Sequence, residues 1–197
     1  MCSSDLTLDK WGIGKDLLRE KFPRLIHCRI SGFGADGPHG GHPGYDAIIQ
    51  SMTGMMAATG SPQSGPTRIG VALVDITTGL YATVGILMAL AERAKSGKGQ
   101  FLETTLFETG LAIMHPHTAN FFFTGKPPAL TGNEHPNLVP YSVFPARDGD
   151  IFMGVGNDGT FRKLCRELGR PELGTDPRFA RNRDRVANRQ ALRTELE

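Results

Sequence analysis

The sequence predicts a mixed α/β fold, and three patterns carry that expectation. Leu25 to Ile30 is an apolar run that reads as a buried strand feeding a Gly/Pro/His loop. A long apolar-periodic helix opens near Asp75 and closes at Gly97. Two alternating segments flank Asp148-Gly149, which is a good hairpin signal.

In chain order, Asp16 to Lys21 is expected to form a short helix ending before Pro23, followed by the strand Leu25–Ile30. The loop Ser31–Gly44 leads into an apolar-periodic helix from Tyr45 to about Met56. "TGSPQSGPTR" is a surface loop by composition. The long helix comes next, with Asp75 at its start, Lys95 near its negative end and Gly97 as its left-handed exit. Gln100–Thr104 is a strand candidate, and Leu106–Thr124 reads as one largely buried helix. "TGKPPALTGNEHPNLVP" is dense in Pro and Gly and marks a linker. Beyond it lie the hairpin and a helix capped by Asn157 or Asp158 that exits at Gly169. The resulting division is residues 7–124, a linker over 125–140, and a second region over 141–197.

The chain has 197 residues, enough for one domain with a good core or for parts of two. Hydrophobic content of 39% and charged content of 21% are ordinary for a globular protein. The formal net charge is +2, and no face gathers Lys and Arg into a long patch, so nucleic acid is not indicated. The Arg-rich end is interleaved with Asp and Glu, a pattern expected of a solvated helix face. No apolar stretch reaches the ~18 residues needed to span a membrane. Cys2, Cys28 and Cys165 are far apart and form no C-x-x-C pair, which fits a reducing cytoplasm better than a disulfide frame or a zinc site.

The opening "MCSSDL" has neither the basic region nor the apolar core of a signal peptide. Its codons could read TGC-TCT-TCC-GAT-CT, the end of a common sequencing adapter. Residues 1–6 are therefore expected to be non-native, and the final "RNRDRVANRQALRTELE" stops inside a helical pattern without a cap.

Gly32, Gly34 and Gly37 spell G-x-G-x-x-G after a strand, the outline of a dinucleotide loop. That reading fails just after Gly37, because Pro-His-Gly-Gly-His-Pro-Gly cannot open a helix toward a pyrophosphate. "SGKGQ" lacks the remaining letters of a P-loop and is a turn. The six histidines come without H-E-x-x-H or C-x-x-C, and His115 and His117 lie in an apolar helical run, so no metal is assigned. Asp75 is the most informative residue. A carboxylate among apolar neighbours at a helix start is either an N-cap or an anion held by the helix dipole for use as a nucleophile.

The words "ISGFGADGP", "GYDAIIQSMTGMMAATG", "RIGVALVDITTGLYATVGILMAL", "KSGKGQ", "GNEHPNLVPYSVF" and "DGDIFMGVGND" occur in an order that resembles the class III CoA-transferases. These include the formyl-CoA, carnitine and bile-acid CoA-transferases (CaiB/BaiF). The resemblance runs from about Leu17 to the C-terminus. It implies a Rossmann-like large domain with a smaller α+β domain, in an interlocked homodimer. It also implies a nucleophile at Asp75, which would attack an acyl-CoA thioester and carry aspartyl anhydride and thioester intermediates. Ser31, Gly32, Phe33, Gly34 and Tyr45 would line the pantetheine and thioester end of CoA, which serves as a substrate; no permanently bound cofactor is implied. Backbone N–H groups of the Gly-rich loop would be natural oxyanion donors.

The similar α-methylacyl-CoA racemases carry His in the word that is "GYD" here. Tyr45 stands in that place, and a phenol with a pKa near ~10 is a poor partner for moving an α-proton at neutral pH. Transfer is favoured, with racemisation, or a non-catalytic CoA-binding role in which Asp75 only caps its helix, as alternatives. His42, three residues earlier, could enter acid/base chemistry, and Arg68 could pair with a second carboxylate or be a plain loop charge. Family members are roughly twice this length. Much of their CoA domain precedes the resemblance, and the glycine loop of formyl-CoA transferase has no counterpart before "GNEHPN". Residues 1–197 alone are therefore expected to be insoluble or inactive.

Overall fold

The computed structural model describes residues 7–197; the expectation about residues 1–6 lies outside them. Contacts divide the chain into two units, one of residues up to 60 together with 64–129, the other of 61–63 together with 130–197.

The first unit starts with α1 (Thr7–Lys10) and α2 (Lys15–Lys21), which lead to β1 (His27–Ser31). After the glycine loop come α3 (Asp46–Met52), α4 (Met55–Thr59), α5 (Leu73–Ser96) and β2 (Phe101–Thr105). β1 and β2 pair in parallel, with His27 opposite Phe101 and Ser31 opposite Thr105. A parallel pair needs a long crossover. Here α3, α4 and α5 supply it, and α5 packs on both strands. α6 (Leu106–Ala112) and α7 (His117–Thr124) come directly after β2.

Two expected helices are each broken. The helix expected from Tyr45 to Met56 is split into α3 and α4 at Gly54, whose φ of +82° ends the first run. The helix expected over Leu106–Thr124 is split into α6 and α7 around Pro116, which has no N–H to continue the ladder. α6 starts with a reciprocal cap. The Glu108 N–H donates to Thr105 Oγ1 at 3.0 Å, and that hydroxyl donates to Glu108 Oε2 at 2.9 Å.

Another correction concerns α5. The letters show no unbroken apolar run of membrane length, yet α5 spans 24 residues and is long and apolar enough by length and composition to cross a membrane. Small residues such as Gly79, Thr83 and Gly85 interrupt the run by letter without making the helix polar. One side of α5 buries Val74, Thr78, Ala82 and Ala89. Ile76, Leu80, Tyr81, Val84, Leu87 and Met88 are exposed.

The second unit holds the hairpin β3 (Tyr141–Ala146) and β4 (Gly149–Gly154), antiparallel in a register that sets Ala146 opposite Gly149 across a two-residue turn. α8 (Asp158–Glu167) is capped by Asn157, whose Oδ1 accepts from the Thr160 N–H at 2.9 Å. A 3-10 turn (Pro171–Gly174), α9 (Asn182–Ala187) and α10 (Arg189–Leu196) complete it around Phe161, Cys165, Phe179 and Leu192.

The Arg-rich end is not simply a solvated face. Arg185 is fully buried: Nε donates to Val139 O at 2.6 Å, Nη1 to Phe179 O at 2.9 Å and Nη2 to Asp158 Oδ1 at 2.9 Å. Its guanidinium lies 4.4 Å from the Phe161 ring centroid. Four and eight residues on, Arg189 donates to His135 O at 3.0 Å and Arg193 to Val143 O at 3.2 Å. Helical spacing thus turns a charge-rich stretch into a row of donors that fixes the 135–143 backbone.

Candidate functional site

The glycine loop begins where β1 ends. Ser31 is buried, and its Oγ accepts from the Gly34 N–H at 3.0 Å, which closes the turn. Gly34 has φ +82°, a conformation that L side chains rarely adopt. A Cβ on Gly32 would meet the Gly44 nitrogen at 2.3 Å, so the two ends of the loop touch backbone to backbone. This contact explains glycine at position 32 without any ligand. It also places Tyr45 and Asp46 beside the base of the loop.

Phe33 is half-buried, its ring centroid 5.7 Å from that of Phe107 and 5.2 Å from that of His39. It packs against the core of Ile49, Met55, Val74, Leu106 and Met114. Tyr45 precedes α3 in extended conformation, with its side chain 58% exposed. Phe33 of the loop and the start of α5, through Leu73 and Val74, therefore stand on one shared core. His42 is exposed, its ring 6.4 Å from that of His39, and no hydrogen bond joins it to Asp75 among the described residues.

Asp75 does not cap α5. The helix opens at Leu73, so Asp75 lies inside its first turn, exposed, and its carboxylate accepts no hydrogen bond among the described residues. The start of α5 is held from elsewhere, by Asp46. Asp46 Oδ2 accepts from the Val74 N–H at 2.8 Å and from the Asp75 N–H at 3.4 Å, and its Oδ1 accepts from Gln50 Nε2. Gln50 Oε1 in turn accepts from the Ile69 N–H at 2.9 Å. Asp46 and Gln50 are both buried, one helical turn apart on α3, and together they fix both ends of the segment that leads into α5.

That arrangement does to α5 what an N-cap does. A side-chain oxygen satisfies backbone N–H groups that the first turn leaves without partners. The Asp75 carboxylate is left unengaged at the positive end of the helix dipole, which favours its anion. Desolvation by the surrounding protein, and then the nearby negative charge of Asp46, push its pKa up from the ordinary value. A carboxylate that is exposed, free of hydrogen bonds and raised in basicity is chemically able to attack an activated carbonyl.

The sequence pattern singles out Asp75 but misses Asp46 and Gln50. Their signal is present: two polar residues four apart in "DAIIQ", on the face of α3 that also buries Ile49. Among the described residues, no cluster of three or more His, Cys, Asp or Glu could hold a metal ion.

Comparison with known proteins gives the family of the chain. The family model described as CoA-transferase family III matches residues 3–197. Succinate–glutarate CoA-transferase from Agrobacterium fabrum is 42% identical over 186 residues, covering 94% of this chain and 46% of that protein. Acetyl-CoA:oxalate CoA-transferase from Acetobacter aceti is 42% identical over 191 residues, covering 96% and 49%. A CaiB/BaiF family protein from Brucella suis superposes with a TM-score of 0.71 at 45% identity, over 96% of this chain and 50% of that one. The hypothetical protein Rv3272 from Mycobacterium tuberculosis gives a TM-score of 0.83 at 30% identity, over 100% and 52%. The chain spans about half the length of the curated relatives it matches.

Proposed function

Because the chain belongs to CoA-transferase family III, we propose that the full-length protein moves coenzyme A from an acyl-CoA to a free carboxylic acid, with Asp75 as the nucleophile. The observation that carries the reading is the state of Asp75: exposed in the first turn of α5, unengaged at its carboxylate, with its backbone N–H on the buried Asp46.

In this reading a carboxylate oxygen of Asp75 bonds to the thioester carbon of the donor, the C–S bond breaks, and CoA leaves as its thiolate. The product on the protein is a mixed anhydride. The thiolate then attacks the aspartyl carbonyl, releases the donor acid and leaves an aspartyl-CoA thioester. The acceptor carboxylate attacks that thioester, expels the thiolate again and forms a second anhydride. Attack of the thiolate on the acceptor's acyl carbon yields the new acyl-CoA and frees Asp75. No net proton or electron enters or leaves, and one difficult exchange becomes four activated steps.

Ser31, Gly32, Phe33, Gly34 and Tyr45 are proposed to contact CoA. Within that set the Ser31 hydroxyl and the Gly34 N–H already satisfy each other. Their contribution is to shape the turn, and the exposed Tyr45 ring is the side chain free to meet ligand. Asp46 acts on the reaction through Asp75, by fixing the turn that presents it and by raising its basicity. The relatives named for succinate, glutarate and oxalate support a dicarboxylic acid as acceptor. The exposed apolar face of α5 and the exposed Phe122 and Phe123 of α7 support an interlocked pair of copies in the full-length protein. Free Cys28 and Cys165 are consistent with a cytoplasmic setting.

The test is chemical. Full-length protein incubated with an acyl-CoA is expected to gain a mass adduct on the peptide bearing Asp75, and Asp75→Asn is expected to abolish both adduct and turnover. An adduct that persists in Asp75→Asn would overturn the assignment. So would α-deuterium entering a 2-methylacyl-CoA in heavy water with no acceptor acid present, because that result belongs to a racemase.

A further inference from the structure

Arg68 has a cationic side chain that the fold does not consume. It is exposed, and its Nη1 donates to the neighbouring Ile69 carbonyl at 2.9 Å; no carboxylate pairs with it among the described residues. Elsewhere in the same unit Arg29 is closed onto Glu103 at 2.8 Å, and Arg24 and Arg93 donate to the backbone carbonyls of Gly97 and Arg24. Arg68 keeps most of its five donors available in a planar fork.

The backbone beside Arg68 is not adrift. The Ile69 N–H donates to Gln50, Gln50 to Asp46, and Asp46 accepts from the Val74 and Asp75 N–H groups. One buried Asp–Gln pair therefore fixes both the residue next to Arg68 and the turn that presents Asp75. The segment between them, Gly70 to Ala72, is short and exposed, and Arg68 and Asp75 are themselves exposed on either side of it in the chain.

A dicarboxylic acid that reacts at one end carries a second, unreacting carboxylate into the site. That charge must be met by donors, or it loses hydration without compensation. A guanidinium matches a carboxylate with two parallel N–H···O bonds. From this geometry we infer that Arg68 is a specificity-determining residue, which receives the distal carboxylate of a dicarboxylic acid while the proximal one reacts at Asp75. The inference rests on the transfer reading given above.

The experiment uses the full-length protein and two acceptors of equal chain length, succinate and butyrate, which differ only in the distal carboxylate. The wild type is expected to favour succinate. Arg68→Met is expected to raise KM for succinate by about tenfold to a hundredfold, the scale of a hydrogen bond to a charged group. It should leave kcat nearly unchanged and alter butyrate turnover little. Arg68→Lys keeps the charge without the fork and should recover part of the loss. An unchanged succinate-to-butyrate ratio in Arg68→Met, with the Asp75 adduct still forming, would overturn the role of Arg68 alone. Absence of thioester exchange with any acid in the wild type would overturn the transfer reading and this inference together. Arg68 is exposed, so normal thermal unfolding of Arg68→Met is the control for intact folding.

Discussion

The two units solve the same packing problem in opposite ways. The second unit closes on itself. Phe161, Phe179 and Leu192 are fully buried, and Arg185, Arg189 and Arg193 tie its loops to its helices. Among the described residues, its only large apolar side chains left exposed are Ile151, Phe152 and Leu168. The first unit buries Ile49, Val74 and Leu106 but exposes most of one side of α5, along with Phe122 at 80% and Phe123 at 92%. Contiguous exposed apolar surface of that kind marks a face made to be covered. The difference teaches that the unit with the self-contained core is not the one in which the nucleophile is proposed. The self-sufficient unit carries no candidate nucleophile, and the unit that carries Asp75 is the one left open.

The largest effect would come from testing that contrast outright. Residues 1–197 expressed alone are expected to associate or precipitate and to lack turnover, whereas residues 130–197 should give a folded monomer, as read by sedimentation and circular dichroism. A soluble, active monomer of residues 1–197 would break the comparison.

Next in size is Arg185→Ala, which strips the second unit of its buried fork and leaves the Val139 and Phe179 carbonyls without their donor. A loss of about 3 kcal/mol is expected in urea unfolding, with little recovery in Arg185→Lys. The same pair sets an acid limit. Partial burial acts to raise the Asp158 pKa, but the hydrogen bond and charge of Arg185 and the Asn182 N–H outweigh it and lower the value. A folded pKa below the unfolded one stabilises above about 3.9, and the contribution fades as pH falls through the folded value. Asp158→Asn should flatten that part of the acid unfolding curve.

The smallest effect sharpens the first unit. Asp46→Asn leaves a single oxygen where the Val74 and Asp75 N–H groups and Gln50 Nε2 together use two, and about 1–2 kcal/mol of stability should be lost in thermal unfolding. The more telling readout is the pH–rate profile of the full-length protein. Asp46 is one of the causes that raise the Asp75 pKa, so removing its charge should move the acid limb to lower pH. An unmoved limb would leave Asp46 a purely structural cap.

Much of the fold is legible in the residues. The run from Asp75 to Gly97 reads as a helix with a left-handed exit; the helix opens two residues earlier, at Leu73, and Gly97 has φ +72°. The hairpin and the Asn157 cap stand where local turn and capping chemistry put them, although the two turn residues are Arg147-Asp148 and Gly149 already pairs with Ala146. The break at Pro116 is legible too, in a single letter outvoted by the apolar letters around it.

What local pattern could not supply are contacts between residues far apart in sequence. Asp75 is the carboxylate next to the start of α5, so it draws both the capping and the nucleophile readings. The group that serves the helix start, Asp46, lies 28 residues before the N–H it accepts. Gly32 reads as room for a ligand until its backbone is found against Gly44. The sequence alone determined which segments become helix and strand, because propensity, periodicity and capping act over a few residues. Tertiary structure alone decided that Asp46 holds the helix and leaves Asp75 unengaged. A buried hydrogen bond depends on distance in space, and chain separation does not report it.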